Sequence, residues 1–396
     1  MPDDAADIIA FSLHRWHQEA WKNRHQIISR LTRWHRILYV EEPFDLRDVL
    51  GDRGGRGRGG RGGVEALGER LTRYRPPKYL PRNYRFPGLE RACRRLRIAH
   101  LRAVCRSLKI RQPVLLVWDP EFRYVLGHLD ESLRAYFVDD QYSLFSGGDG
   151  TALAAEERAL LRGVDLVFCT SEALCEDKGR VNPNVHLVAN GVDYAAFAAA
   201  ATGREPVPSA LRAIRRPILG FVGNLDDKVD YGLLTGVARD NPGWSVVLIG
   251  PDNIFTSGYR AEFETLRACA NVTWLGSLPL AEIPAHIQGM DVCAIPNRIN
   301  EFTRFVYPIK LHEYLAVGKP VISTPIPSVE PFAPTVHLAA SVAEWTRCLR
   351  EAAAETGDGW VERRQATARL HTWEQRAERV HALLAAVPKN PGRDSS

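Results

Sequence analysis

The chain has 396 residues, 45% of them apolar and 25% charged, a globular composition that excludes disordered and fibrous classes. No apolar run approaches the roughly 18 residues of a membrane span, and the acidic start MPDDAAD is unlike the basic head of a signal peptide. The net charge of +5 is unevenly spread, with 18 basic against 4 acidic side chains between positions 50 and 111, a block suited to an anionic partner such as a membrane surface, a phosphate-bearing acceptor or nucleic acid.

In chain order, apolar and β-branched runs predict strands at 7–12, 36–43, 114–120, 133–140, 164–171 and 184–191, with helical patterns such as 19–33 and 151–162 between them. The second half repeats the alternation, with strands at 217–224, 245–251, 272–276, 291–296 and 319–324. Continuous apolar strands separated by helices predict parallel sheets covered on both faces. Segment 198–216 is small, polar and proline-containing, as a linker would be. The expected fold class is α/β, with two doubly wound, Rossmann-like domains at 1–197 and 217–370. Seven cysteines without a CxxC pair argue against disulfides or structural zinc and fit a reducing cytoplasm.

Two segments break the alternation. Residues 51–63, with eight glycines and four arginines, cannot bury a core and read as a disordered loop. Residues 91–111 read as a basic amphipathic helix, with Leu96, Leu101, Val104 and Leu108 as its apolar stripe between Arg94, Arg95, Arg102 and Arg106. Such a helix suits docking on anionic lipid; it equally suits a domain helix that buries its stripe and solvates its arginines.

The stretch 300–324, NEFTRFVYPIKLHEYLAVGKPVIST, is the most informative about chemistry. Pro308 is placed to open a helix that Gly318 closes. Lys310 then stands in the first turn, where the helix dipole disfavours a cation. That placement makes sense where an anion is shared by free backbone N–H groups and the lysine. Glu313, on the same face, could accept both hydroxyls of a ribose; a surface Lys310–Glu313 ion pair is the alternative. In GFVGNLDDK (220–228), a strand ending in Gly223 lets the backbone approach a phosphate closely. No GxGxxG follows the first strand, which counts against a dinucleotide oxidoreductase. Asp139 and Asp140 stand at the carboxyl end of a predicted strand, where open α/β sheets bind ligands. They could supply a general base or an anchor for an acceptor hydroxyl, or serve as helix caps. His14, Trp16, His17 and Trp21 would line the same cleft, with His17 the candidate catalytic histidine.

The Gly223 turn, the PIKLHEYLAVGKPVIST block and VANGVDYAAF (188–197) together resemble bacterial GT-B-fold glycosyltransferases that use nucleotide sugars. The resemblance implies a nucleotide-diphosphate sugar held by the second domain and an acceptor held mostly by the first. It implies that Glu313 binds the ribose, that Lys310 lies near the diphosphate and that Gly223 forms the donor-domain turn. It also implies that residues 371–396 (HTWEQRAERV onward) return to the first domain. Two departures stand out. Asn224 replaces the arginine many relatives carry after that glycine, which shifts phosphate contact to Lys310 with Lys228 or Arg304. Phe305 replaces a glutamate that in relatives contacts the donor sugar. Thr303 and Tyr314 complete the expected donor site.

The expected function is therefore transfer of a sugar from a nucleotide-diphosphate sugar to an acceptor hydroxyl, on a lipid-linked or cell-envelope glycan. No cofactor is expected beyond that co-substrate, and no metal, because no DxD motif stands where a metal–diphosphate site belongs. If configuration inverts, Asp139 or Asp140 takes the acceptor proton. If it is retained, the donor phosphate assists and the aspartates position the acceptor. The expected location is cytoplasmic, with the basic block 50–111 adding a peripheral membrane contact. A soluble tailoring transferase on a small metabolite and a sugar-nucleotide epimerase are the rival enzymes. An RNA-binding protein is the rival from another class, weakened because the Arg/Gly segment lacks interleaved aromatics.

Overall fold

The computed structural model describes residues 6–17, 21–51, 62–83, 86–144, 150–202, 206–355 and 357–388. The first half contributes β1 (Ile8–Phe11), β2 (Ile37–Val40), β3 (Gly63–Ala66), β4 (Leu71–Arg75), β5 (Val114–Val117), β6 (Leu133–Val138), β7 (Leu166–Cys169) and β8 (Val185–Leu187). They form one sheet in the order β3-β4-β2-β1-β5-β6-β7-β8. All neighbours are parallel except the β3–β4 pair. The second half contributes β9 (Ile218–Val222), β10 (Leu225–Asp226), β11 (Ser245–Ile249), β12 (Asp252–Asn253), β13 (Val272–Trp274), β14 (Val292–Ile295), β15 (Val321–Ser323) and β16 (His337–Leu338). Six of them form a parallel sheet, β13-β11-β9-β14-β15-β16, and β10 pairs with β12.

Each sheet is buried on both faces, which is why its strands read as unbroken apolar runs. Ile8, Ala10 and Tyr39 face one core of the first sheet, and Ile9, Phe11 and Leu38 face the other. The second sheet is likewise covered on both sides. Strand order reverses at β1/β5 and at β9/β14, so ligand crevices belong at the carboxyl ends of those strands. All eleven expected strands are present. The antiparallel β3–β4 hairpin was not expected, because it lies inside the basic block where charge masks the short apolar alternation.

Several expectations change. The helix expected at 19–33 runs from Asn23 to Leu31, with residues 18–20 outside the described residues. Most of the 51–63 segment, 52–61, also lies outside them, while Gly63 opens β3. The basic helix spans Pro87–Ser107 and buries Cys93, Arg97, Leu101, Val104 and Cys105. Leu96, expected in the buried stripe, lies beside it and is 56% exposed. The crossing between domains also differs from 198–216. Val188 packs in the first core, whereas Val192 and Phe197 pack in the second, so the chain changes core at 189–191.

Residues 371–373 return beside that crossing. Val192 N–H donates to His371 O at 2.9 Å, and Trp373 N–H donates to Val192 O at 3.1 Å. The last helix, Trp373–Ala386, begins with a reciprocal cap between Thr372 and Gln375. Its Trp373, Ala377, Val380 and Leu384 join the core of the first domain.

Candidate functional site

The carboxyl ends of β1, β5 and β6 carry a buried charge network built around Arg24. This arginine, 2% exposed, donates to Ser12 Oγ at 2.8 Å, to Asp119 Oδ2 at 3.1 Å and to Asp139 Oδ2 at 2.6 Å. Asp139 also accepts a short hydrogen bond from the Tyr142 hydroxyl. Burial alone would raise the Asp139 pKa, but Arg24, Tyr142 and Lys22 hold it below its ordinary value. A carboxylate so fully engaged is a poor proton acceptor. Asp140 differs. Burial raises its pKa despite Lys228, with Asp139 adding to the rise, and its only ion-pair partner among the described residues is Lys228 of the other domain, at 3.7 Å.

His14, not His17, stands in this cluster. The His14 ring lies 2.8 Å from both Arg24 Nη1 and Lys22 Nζ. Burial, with those two cations, lowers its pKa to about 3, so the ring is neutral near pH 7. His17 instead pairs at 3.6 Å with Glu65 on β3. That edge strand is five strands from β6, about 24 Å at the usual strand spacing. Local sequence places both histidines in one loop; Arg24 and Lys22 hold His14 in the cluster, while Trp16 N–H bound to Glu41 and His17 paired with Glu65 draw the rest of the loop toward the other end of the sheet.

Across the cleft, β9 ends at Gly223 and the helix Lys310–Ala316 begins beside it. A Cβ on Gly223 would stand 3.0 Å from Lys310 Nζ, so the bare glycine is what leaves room for the lysine. The Lys310 amine also sits 4.7 Å from the Phe221 ring centroid. Burial lowers its pKa to about 8, with Asp226 opposing and Lys228 adding to the fall. One turn on, burial raises the Glu313 carboxyl to about 7 against the pull of Lys310. Glu313 lines a cavity of about 520 Å³ between the domains, with Trp21 and Gln26 from the first and Leu280, Ala281 and Pro284 from the second.

Other expected donor residues have different work. Tyr314 is fully buried. Its hydroxyl accepts from Val222 N at 2.8 Å, so it ties down the strand end and has no face toward a ligand. Thr303, 1% exposed, closes the 298–303 turn through bonds with Arg298 and Asn300. Arg304 pairs at the surface with Glu176 of the first domain, 3.6 Å away. Asn224 is exposed at the end of β9. Phe305 enters a core cluster of the first domain, and its carbonyl accepts from Ser171 Oγ at 2.8 Å. The position that in relatives holds a sugar-binding glutamate is here a domain anchor. Lys22 and Arg24 escaped sequence reasoning because basic residues near a helix start are common and carry no spacing signal.

Asn190 of the ANGVD stretch joins the halves. It accepts from Asn23 at 2.8 Å and donates to Tyr307 O at 2.7 Å. Asp193 of the same stretch caps the helix Tyr194–Ala200.

Two Rossmann-like domains meeting across such a cleft make the GT-B fold of glycosyltransferases. Residues 216–351 match the glycosyl transferases group 1 family. Over 195 residues the chain is 29% identical to the putative teichuronic acid biosynthesis glycosyltransferase TuaH of Bacillus subtilis. That match spans about half of each protein, 48% of this chain and 48% of the relative. In fold, the sucrose-phosphate synthase of Thermosynechococcus elongatus is similar with a TM-score of 0.70 at 17% identity, covering 96% of this chain and 98% of that one. HepE from Anabaena, solved with UDP and glucose, gives 0.68 at 12% identity, covering 97% and 100%.

Proposed function

We propose that this protein is a glycosyltransferase that moves a sugar from a nucleoside-diphosphate sugar to a hydroxyl of a cell-envelope glycan. The observation that carries the reading is the convergence of Lys310 and Lys228 with Gly223 at the end of β9, opposite Asp140. A diphosphate leaving group needs its growing charge neutralised as its bond to the anomeric carbon breaks, and two lysines beside an open glycine turn supply that charge. Glu313 and the adjoining cavity receive the nucleoside, with the ionised carboxylate accepting the ribose hydroxyls. TuaH, whose name states envelope-polymer biosynthesis, supports the acceptor class. HepE, solved with UDP and glucose, supports the donor class.

In the transfer, the acceptor oxygen bonds to the anomeric carbon, the bond to the diphosphate oxygen breaks, and the nucleoside diphosphate leaves. Under inversion the acceptor proton goes to Asp140. Under retention it goes to the leaving phosphate, and Asp140 orients the hydroxyl. Asp139 is the positioning residue, locked by Arg24. The lysines perform the neutralisation that a metal would otherwise supply, so the reaction proceeds without one.

Thermal shift against UDP, GDP, ADP and dTDP, with and without Mg²⁺, tests the donor site. A ligand at a hundred times its dissociation constant stabilises by roughly 2.7 kcal/mol. One nucleoside diphosphate should raise Tm without metal, and Lys310→Ala should abolish the shift. Asp140→Asn should keep the shift and lose transfer by roughly 10²-fold or more. No shift with any nucleotide would sink the reading.

A further inference from the structure

We propose that the outward face of the helix Pro87–Ser107 docks on an anionic lipid bilayer. The helix buries Cys93 and packs Leu101, Val104 and Cys105 into a core of the first sheet, yet it carries a second apolar stripe that is exposed among the described residues. Leu89 is 46% exposed and Leu96 56%, and Ala92, Ala99 and Ala103 are exposed with them. At 3.6 residues per turn these five fall within roughly 80° of arc. Beside them stand Arg91, Arg95, Arg102 and Arg106, all exposed. Arg91, Arg95 and Arg106 have no ion-pair or hydrogen-bond partner among the described residues. The one acid of the helix, Glu90, is turned inward onto Arg94 and Arg97.

An apolar stripe bordered along one edge by unpaired arginines suits the headgroup boundary of a bilayer. The apolar stripe enters the acyl edge while the guanidinium groups stay with anionic headgroups. A nucleic acid would use the arginines and gain nothing from the leucines. A second copy of the same face would meet like charge. The position of the helix adds to the argument. It crosses from β4 to β5, which run parallel, so it runs antiparallel to both. Its start, where Phe86 is 53% exposed, therefore lies at the carboxyl ends of the strands, the end that carries Asp119 and Asp140. A bilayer on this face lies beside the mouth of the cleft, where a lipid-borne acceptor would enter. That last clause rests on the transferase reading; the docking does not.

Cosedimentation of the full chain with phosphatidylcholine vesicles, with and without phosphatidylglycerol, tests the proposal. Binding should require phosphatidylglycerol and weaken as salt is added. Exchanging Arg91, Arg95 and Arg106 for Gln together should weaken it roughly a hundredfold, at the usual contribution of a basic residue near an anionic surface. Leu89→Ser with Leu96→Ser should weaken it at least about tenfold. Both variants should keep the wild-type Tm and nucleotide response, because the exchanged side chains are exposed. Absence of vesicle binding, equal binding to neutral vesicles, indifference to either variant, or preference for RNA over vesicles overturns the proposal. Loss of nucleotide binding in the wild type would overturn the transferase reading and leave the docking intact.

Discussion

Lys310 and Glu313 stand one helical turn apart, with pKa values that burial has drawn toward each other, to about 8 and about 7. In the proposed donor site, nucleotide binding would need the lysine protonated and the carboxylate ionised. Affinity for the nucleoside diphosphate should therefore peak between those values. It should fall below pH 7 as Glu313 gains its proton, and above pH 8 as Lys310 loses its own. Calorimetric titration across pH 6 to 9 checks this. Glu313→Gln should flatten the acid limb, and Lys310→Met should weaken binding and flatten the alkaline limb; a level profile in the wild type would contradict the assignment. That Lys310 and Glu313 share one helix face next to Gly223 was legible because a proline start, a glycine turn and a three-residue spacing are local features. The different surroundings of Asp139 and Asp140, and of His14 and His17, were not. Asp139 and His14 are set by Arg24, which meets Asp139 across 115 positions of chain.

At the level of elements, the ANGVD stretch and the return at 371–373 form the paired crossing between the domains. A Cβ on Gly191 would lie 2.9 Å from Thr372 C and 2.9 Å from Trp373 N. Both are backbone atoms and cannot turn aside. Gly191→Ala should destabilise the protein by about 1–3 kcal/mol through overpacking. A lowered Tm, with the nucleotide-induced shift retained, is the expected outcome, and an unchanged Tm would show that the two crossings separate easily. The strands of both sheets were legible as apolar runs because burial on both faces removes polar alternation. The orientation of the helix Pro87–Ser107 was not, because it carries two apolar stripes. Periodicity counts both alike, and contact with Tyr74 and Leu115 in the shared core decides which is covered.

At the level of the whole molecule, Phe305 reaches from the second domain into a core of the first. Asn190 and the Asp140–Lys228 pair add polar contacts across the same boundary. Truncating a buried Phe costs about 3–5 kcal/mol, and here the loss falls on domain docking. Phe305→Ala should raise the radius of gyration in solution scattering, or divide one calorimetric transition into two. A single unshifted transition and an unchanged radius would mean that the anchor is dispensable.

Composition, periodicity and turn residues act over a few positions, so the α/β alternation, the two parallel sheets and the Lys310–Glu313 turn could be read from the chain alone. The place where the chain changes core could not, because the small polar composition at 198–216 marks tolerance of exposure, whereas Val192 and Phe197 show where burial resumes. Phe305 as an anchor, Arg24 as the lock on Asp139 and the open stripe of the basic helix likewise came only with the tertiary structure. Each depends on which distant surfaces exclude water together, a property of the folded packing that no local pattern contains.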